Sequence, residues 1–195
     1  MPQIEPMLDS LIEQHREATI VRTQTTYLDL AVSSGTVRLH YWDKVEFSLK
    51  NGIRGVLGHV TEHPLLWNYN GPCDTVYLSG PAPDPPALIE ALYQAVDIAS
   101  DHWRTLNCYL LGFSRAGALA QLERNLTDGS GLLVQGAPVP LVKAVVAVCQ
   151  QHGTPTYTLS LTMPRSEPAP VAAPFSVLFI GACYVIARDF RVQEL

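Results

Sequence analysis

Two histidines and a carboxylate stand close together at His59-Val60-Thr61-Glu62-His63. Imidazole nitrogens bind metal ions, and a carboxylate beside them can serve as general base on a metal-bound water, so these residue types fit zinc hydrolysis. Two histidines four apart share one ion only where a helix puts them a turn apart on one face. In a strand they also face one way, but about 13 Å apart at the strand rise. The neighbours favour the strand: Gly55 and Gly58 weaken a helix, Val60 and Thr61 are β-branched, and Pro64 pushes His63 out of the α region. The expectation is no metal and no cofactor, with His59, Glu62 and His63 as the residues that would form a metal site.

These five residues resemble the signature of the inverted-motif zinc peptidases. The resemblance implies Glu62 as general base and a downstream helical glutamate as third ligand. Glu123 is the candidate for that place, and residues 129–166 contain no acid.

A nucleophile is the second possibility. The run Leu110-Leu111-Gly112-Phe113-Ser114-Arg115-Ala116-Gly117 resembles the nucleophile elbow of small α/β-hydrolase carboxylesterases and thioesterases, in which an apolar strand enters a tight turn and then a helix. The resemblance implies Ser114 as nucleophile and the Arg115 amide as an oxyanion-hole donor. Asp128 and His152 follow in the chain order such enzymes use. Ala116 stands where the motif has its second glycine, and His152 sits at an expected helix end before Gly153 instead of on a late loop. Read from the residues alone, Gly112 ends one helix, Ser114 caps the next, and Ala116, Ala118 and Ala120 favour helix.

The third stretch, His63 to Pro72, reads as a loop rich in aromatic and amide groups. Trp67 and Tyr69 offer flat apolar contact, while Asn68 and Asn70 can hydrogen-bond a small polar ligand or a partner backbone. The alternative is that Trp67 anchors the loop in the core and the asparagines only make turns.

The elements that must carry these groups are legible in the hydrophobic pattern. Ile4, Met7, Leu8, Leu11 and Ile12 recur at helical spacing over residues 4–17. From Thr19 the period becomes two, through Leu28, Leu30 and Val32, then Val37, Leu39 and Tyr41, then Val45, Phe47 and Leu49. Turn residues Ser33-Ser34-Gly35, Trp42-Asp43 and Asn51-Gly52 separate them, so residues 19–62 are expected to form an antiparallel meander with a hairpin at Asn51-Gly52. Val76 to Leu78 adds a short strand. Asp84-Pro85-Pro86 caps and opens a helix, a second helical piece is expected from Ser100-Asp101 to Leu111, and a third from Ser114 to Asn125. Residues Leu132 to Gly136, a helix from Pro138 to His152 with Gly153 as its stop, and Thr156 to Leu161 read as β-α-β. Residues 164–174 form a proline-rich loop, and Phe175 to Val192 one long strand or a bent pair.

Strands first and helices later give an α+β class: an N-terminal antiparallel meander followed by helices and a βαβ-like segment, in two layers. At 195 residues the chain is read as one domain, with a meander half over 18–80 and a helical half over 84–195.

Composition narrows the function classes. A net charge of −5 and no basic run argue against binding nucleic acid or an anionic membrane. The residues around Met1 carry acids where a signal peptide would be basic, and the apolar run Val177 to Ala187 is too short to span a bilayer as a helix, so a cytoplasmic protein is expected. The four cysteines are widely spaced and read as reduced thiols. Charged residues make up only 16%, against about 25% in typical soluble chains, which points to a homo-oligomer or a partner-covered surface. The resulting expectation is a non-catalytic binding or protein-interaction domain, with a divergent serine hydrolase using Ser114, Asp128 and His152 as the alternative.

Overall fold

The computed structural model describes residues 5–112, 114–160 and 173–195, with side chains from Leu8 onward. The expectations for Ile4, the Met7 side chain, Phe113, Leu161 and residues 164–172 lie outside the described residues. Helices and strands are mixed, with two separate sheets, so the class is α+β. The chain groups into two compact units, one within 1–69 and 170–195, the other within 70–169. The dividing point is thus near Tyr69, ahead of the 80–84 boundary expected, and the C-terminal strands belong with the N-terminal ones.

In the first unit, helix α1 (Glu5–Gln14) leads into β1 (Glu17–Thr23), β2 (Tyr27–Val32) and β3 (Gly35–Trp42), then β4 (Glu46–Ser48) and β5 (Arg54–Val60). The C-terminal β9 (Ser176–Ile180), β10 (Cys183–Ala187) and β11 (Asp189–Glu194) complete an eight-stranded sheet in the order β11-β3-β2-β1-β5-β9-β10-β4. The chain passes from β10, near one end of that order, to β11, at the other, through Arg188 alone, so the sheet is strongly coiled. Alternation along the strands buries Ile20, Leu28, Leu30, Leu39, Leu57, Leu178, Ile180 and Val185 on one face, and α1 lays Leu8 and Leu11 onto that core against β5 and β11.

Four expectations change here. The meander holds for β1-β2-β3, but β5 pairs on the other side of β1, and β4 pairs with β10. Asn51-Gly52 does turn the chain, with Gly52 at φ +80, yet the strands on either side of it do not pair with each other. The closing segment is three strands, because Gly181 at φ +59 turns it and Arg188 ends it. Residues 63–70 are not an open loop either: Pro64–Leu66 forms a 3-10 turn and α2 (Trp67–Asn70) follows, with Leu65 and Leu66 buried.

In the second unit, β6 (Cys73–Leu78) lies between β7 (Gly131–Pro138) and β8 (Thr156–Ser160), antiparallel to both. β7 and β8 therefore run parallel to each other, joined by α5 (Val139–Gln151), with β6 inserted between them. The strand expected over Val76 to Leu78 is longer and central. Helix α3 (Pro85–Ala99) starts as the residues predict, with the Asp84 side chain accepting from the Ala87 amide at 3.1 Å, and it packs on α5 and on α4 (Arg115–Asp128). The helix expected from Ser100 to Leu111 is absent: Asp101 and His102 take φ of 51 and 64, and only a 3-10 turn over Leu106–Tyr109 forms. Left-handed backbone at two successive residues ends α3 and prevents its continuation.

Candidate functional site

An open cleft of about 590 Å³ lies within the first unit, lined by Leu8 and Asp9 of α1, His59 to Glu62 at the end of β5, Ser176 of β9, and Arg188 to Phe190. Strand register explains why these groups meet. In the antiparallel β5/β9 pair, His59 faces Leu178 and Val60 faces Val177, which puts Ser176 on the His59 side, one diagonal step away. That diagonal is closed by a hydrogen bond of 2.9 Å between His59 Nε2 and Ser176 Oγ. The other ring nitrogen, Nδ1, lies 3.6 Å from Asp9 Oδ1. Phe190 meets the imidazole edge-on with ring centroids 5.8 Å apart and holds its plane.

Burial grades across these three residues. Ser176 is 7% exposed, the His59 side chain 21% and the Asp9 side chain 68%. The hydroxyl therefore sits at the floor of the cleft and the carboxylate at its rim. With the proton on Nδ1, His59 accepts from the Ser176 hydroxyl through Nε2 and directs Nδ1–H toward Asp9. Chemically this is a hydroxyl, a base and an orienting carboxylate in line.

Charge in the same lining is mostly negative. Asp9, Glu62 and Asp189 face one guanidinium, Arg188. Arg188 Nε lies 3.8 Å from Asp43 and its Nη1 donates to the Ala173 carbonyl at 2.8 Å, while Asp189 accepts from Arg191 at 3.1 Å.

The residues of the metal motif separate. His59 stays on β5, whereas His63 lies beyond the strand end, where its Nδ1 accepts from the Leu65 amide at 3.2 Å and its ring meets Phe179 at 5.0 Å. Glu62 is exposed between them. Among the described residues no group of three or more His, Cys, Asp and Glu side chains could hold a metal ion. Glu123 is on α4 in the other unit.

The hydrolase set does not converge. Ser114 is the N-cap of α4, and its Oγ accepts from the Gly117 amide at 3.1 Å. Asp128 is the last residue of the same helix of 14 residues, which places it about 20 Å from Ser114 at about 1.5 Å rise per residue. A serine, histidine and carboxylate in relay span roughly half that distance, because each link is a hydrogen bond of about 3 Å. His152 is the C-cap of α5. A second cleft of about 590 Å³ does run past Ser114, but the described residues lining it include no histidine or acid.

Of the aromatic and amide stretch, Trp67 and Tyr69 are half-buried and Asn68 and Asn70 exposed on α2. Tyr69 donates to Glu46 at 2.8 Å and its ring lies 5.4 Å from Phe175, so this residue is engaged in holding the short helix down. The outer face of β2, β3 and β11 carries another cluster: Arg38 stacks 4.1 Å over Tyr27, Tyr27 and Trp42 flank His40, and Arg191 stacks 4.6 Å over Trp42. Its cations are paired within the face, Arg38 with Asp29 and Arg191 with Asp189.

Asp9 and Ser176 were not visible as site residues in the sequence. They lie 50 residues before and 117 residues after His59, and neither belongs to a local motif. Comparison with protein-family models, with curated proteins and with solved structures finds no match.

Proposed function

We propose that this chain is a binding domain for a small neutral or cationic ligand, seated in the cleft at the end of β5. The observation that carries this reading is convergence: a hydroxyl, an imidazole and several carboxylates from four separate elements line one cleft together with Leu8, Val60 and Phe190. A concave site with a few placed polar groups over apolar side chains is the usual form of a small-molecule site. The excess of carboxylates disfavours an anionic ligand, since desolvating one beside them adds like-charge repulsion.

Three probes of one shape test this: benzylamine, benzyl alcohol and benzoate. Benzylamine is expected to shift the amide resonances of His59, Val60, Thr61 and Ser176 in two-dimensional NMR, benzyl alcohol to do so at higher concentration, and benzoate least. Shifts from none of the three, or strongest shifts from benzoate, would remove the cleft as the binding site.

A second part of the proposal concerns self-association, favoured by one observation. Among the described residues β8 is an edge strand, and its Tyr157 and Leu159 are 48% and 50% exposed. An apolar edge with unpaired backbone groups is a template for another strand, and an antiparallel edge can pair with the same edge of a second copy about a two-fold axis. The cytoplasmic setting belongs to the same reading and is supported by Cys73, Cys108, Cys149 and Cys183 standing as free thiols.

A further inference from the structure

We propose that the cleft turns over what it binds: Ser176 is a nucleophile, His59 its general base and Asp9 the residue that orients His59, and the substrates are small neutral or cationic esters. This rests on the binding reading above and adds a reaction to it. The geometry is the argument. The Ser176 hydroxyl is 2.9 Å from His59 Nε2, within the reach a base needs to take its proton, and Asp9 stands 3.6 Å behind the opposite nitrogen. The three residues come from β9, β5 and α1, and such a relay is defined by geometry and roles, not by chain order.

The surroundings fit the roles. Ser176 is 7% exposed, and His59 is flanked from the side by Phe190. The other charged groups of the lining are Glu62, which follows β5, Arg188, which precedes β11, and Asp189, which begins it. Arg188 is the guanidinium in that lining, held by Asp43 and the Ala173 carbonyl and stacked 4.2 Å over Phe175.

The step balances without any co-reactant but water. Ser176 Oγ bonds to the ester carbonyl carbon as its proton passes to His59 Nε2. The bond from that carbon to the alkoxy oxygen then breaks, and the leaving oxygen takes the proton from Nε2 and departs as an alcohol. Water attacks the acyl-serine, giving a proton to Nε2, and the bond to Oγ breaks as that proton returns to Ser176. The products are one carboxylic acid and one alcohol, and the side chains are restored.

The test treats the full chain with a fluorophosphonate bearing a neutral tail, maps the adduct by peptide mass spectrometry, and follows p-nitrophenyl acetate hydrolysis in parallel. Expected are a single adduct on Ser176 and a loss of at least about 100-fold in kcat for Ser176→Ala and His59→Gln. Asp9→Asn is expected to lower kcat by about tenfold or more with KM unchanged, a split that a merely structural role would not produce. Ser114→Ala should label and hydrolyse like the wild type. Circular dichroism confirms folding of each variant, and labelling of the wild-type protein decides the matter if one fails to fold. No adduct on Ser176, an adduct on Ser114 instead, or wild-type turnover in Ser176→Ala overturns the catalytic proposal. If benzylamine still shifts the cleft resonances in that case, binding stands and catalysis falls; if it does not, both fall.

Discussion

Asp29 is held by Arg38 on the neighbouring strand, with the guanidinium donating from Nε at 2.7 Å and from Nη2 at 3.1 Å. The hydrogen bond from Arg38 holds the Asp29 carboxyl below its usual range, against the opposing effect of burial, and the charges of Arg38, Arg22 and His40 add to the lowering. The unfolded chain lacks these partners and takes up the proton at higher pH. The stability this residue contributes is therefore complete above the ordinary aspartate value, near 3.9, and is lost as pH falls through the lowered one. Asp29→Asn is expected to flatten the acid limb of the melting-temperature profile below about pH 4, measured by scanning calorimetry from pH 7 to pH 2.5. A limb as steep as the wild type's would show that other carboxylates carry the acid sensitivity. The thiols differ by the same logic of environment: burial pushes Cys149 up to about 11, so it stays protonated at neutral pH, whereas Cys108 is exposed.

At the scale of elements, β5 makes a close backbone approach to the turn between β9 and β10. A β-carbon on Gly55 would strike the backbone of Gly181 and Ile180, and Gly181 itself holds φ +59. Gly58, three residues along the same strand, has open space where a methyl would go. Gly55→Ala is expected to cost about 1–3 kcal/mol in urea unfolding, as overpacking against rigid backbone does, with Gly58→Ala nearly neutral. Equal costs at the two positions would mean that strand propensity, and not the backbone approach, sets the effect. The glycines that argued against a helix at His59 thus have distinct tertiary roles that periodicity does not reveal.

At the scale of the whole molecule, the low charge content and the exposed edge of β8 belong together. Native mass spectrometry of the untagged chain is expected to report a dimer, and Leu159→Lys, which places a charge on that edge, to shift it toward monomer by tenfold or more in dissociation constant. A wild-type monomer at micromolar concentration would remove this interface. The sequence alone was sufficient for features set within a few residues: the Asp84 cap and Pro85-Pro86 opening of α3, the Ser114 cap of α4, the stop of α5 at Gly153, and the period-two burial of β3. Such signals depend on side-chain and backbone preferences that act over one turn or one pleat. Strand partnership does not. Asn51-Gly52 turns the chain as its residues require, yet β4 went to β10 and β5 to β1 and β9, because burial of the sheet face is settled between segments distant in the chain, for β4/β10 and β5/β9 more than 100 residues apart. For the same reason His59 was legible as a chemically capable residue while the partners of its ring were not. Ser176 and Asp9 reach it only through the β5/β9 register and the seating of α1, and those long-range pairings are what tertiary structure alone decides.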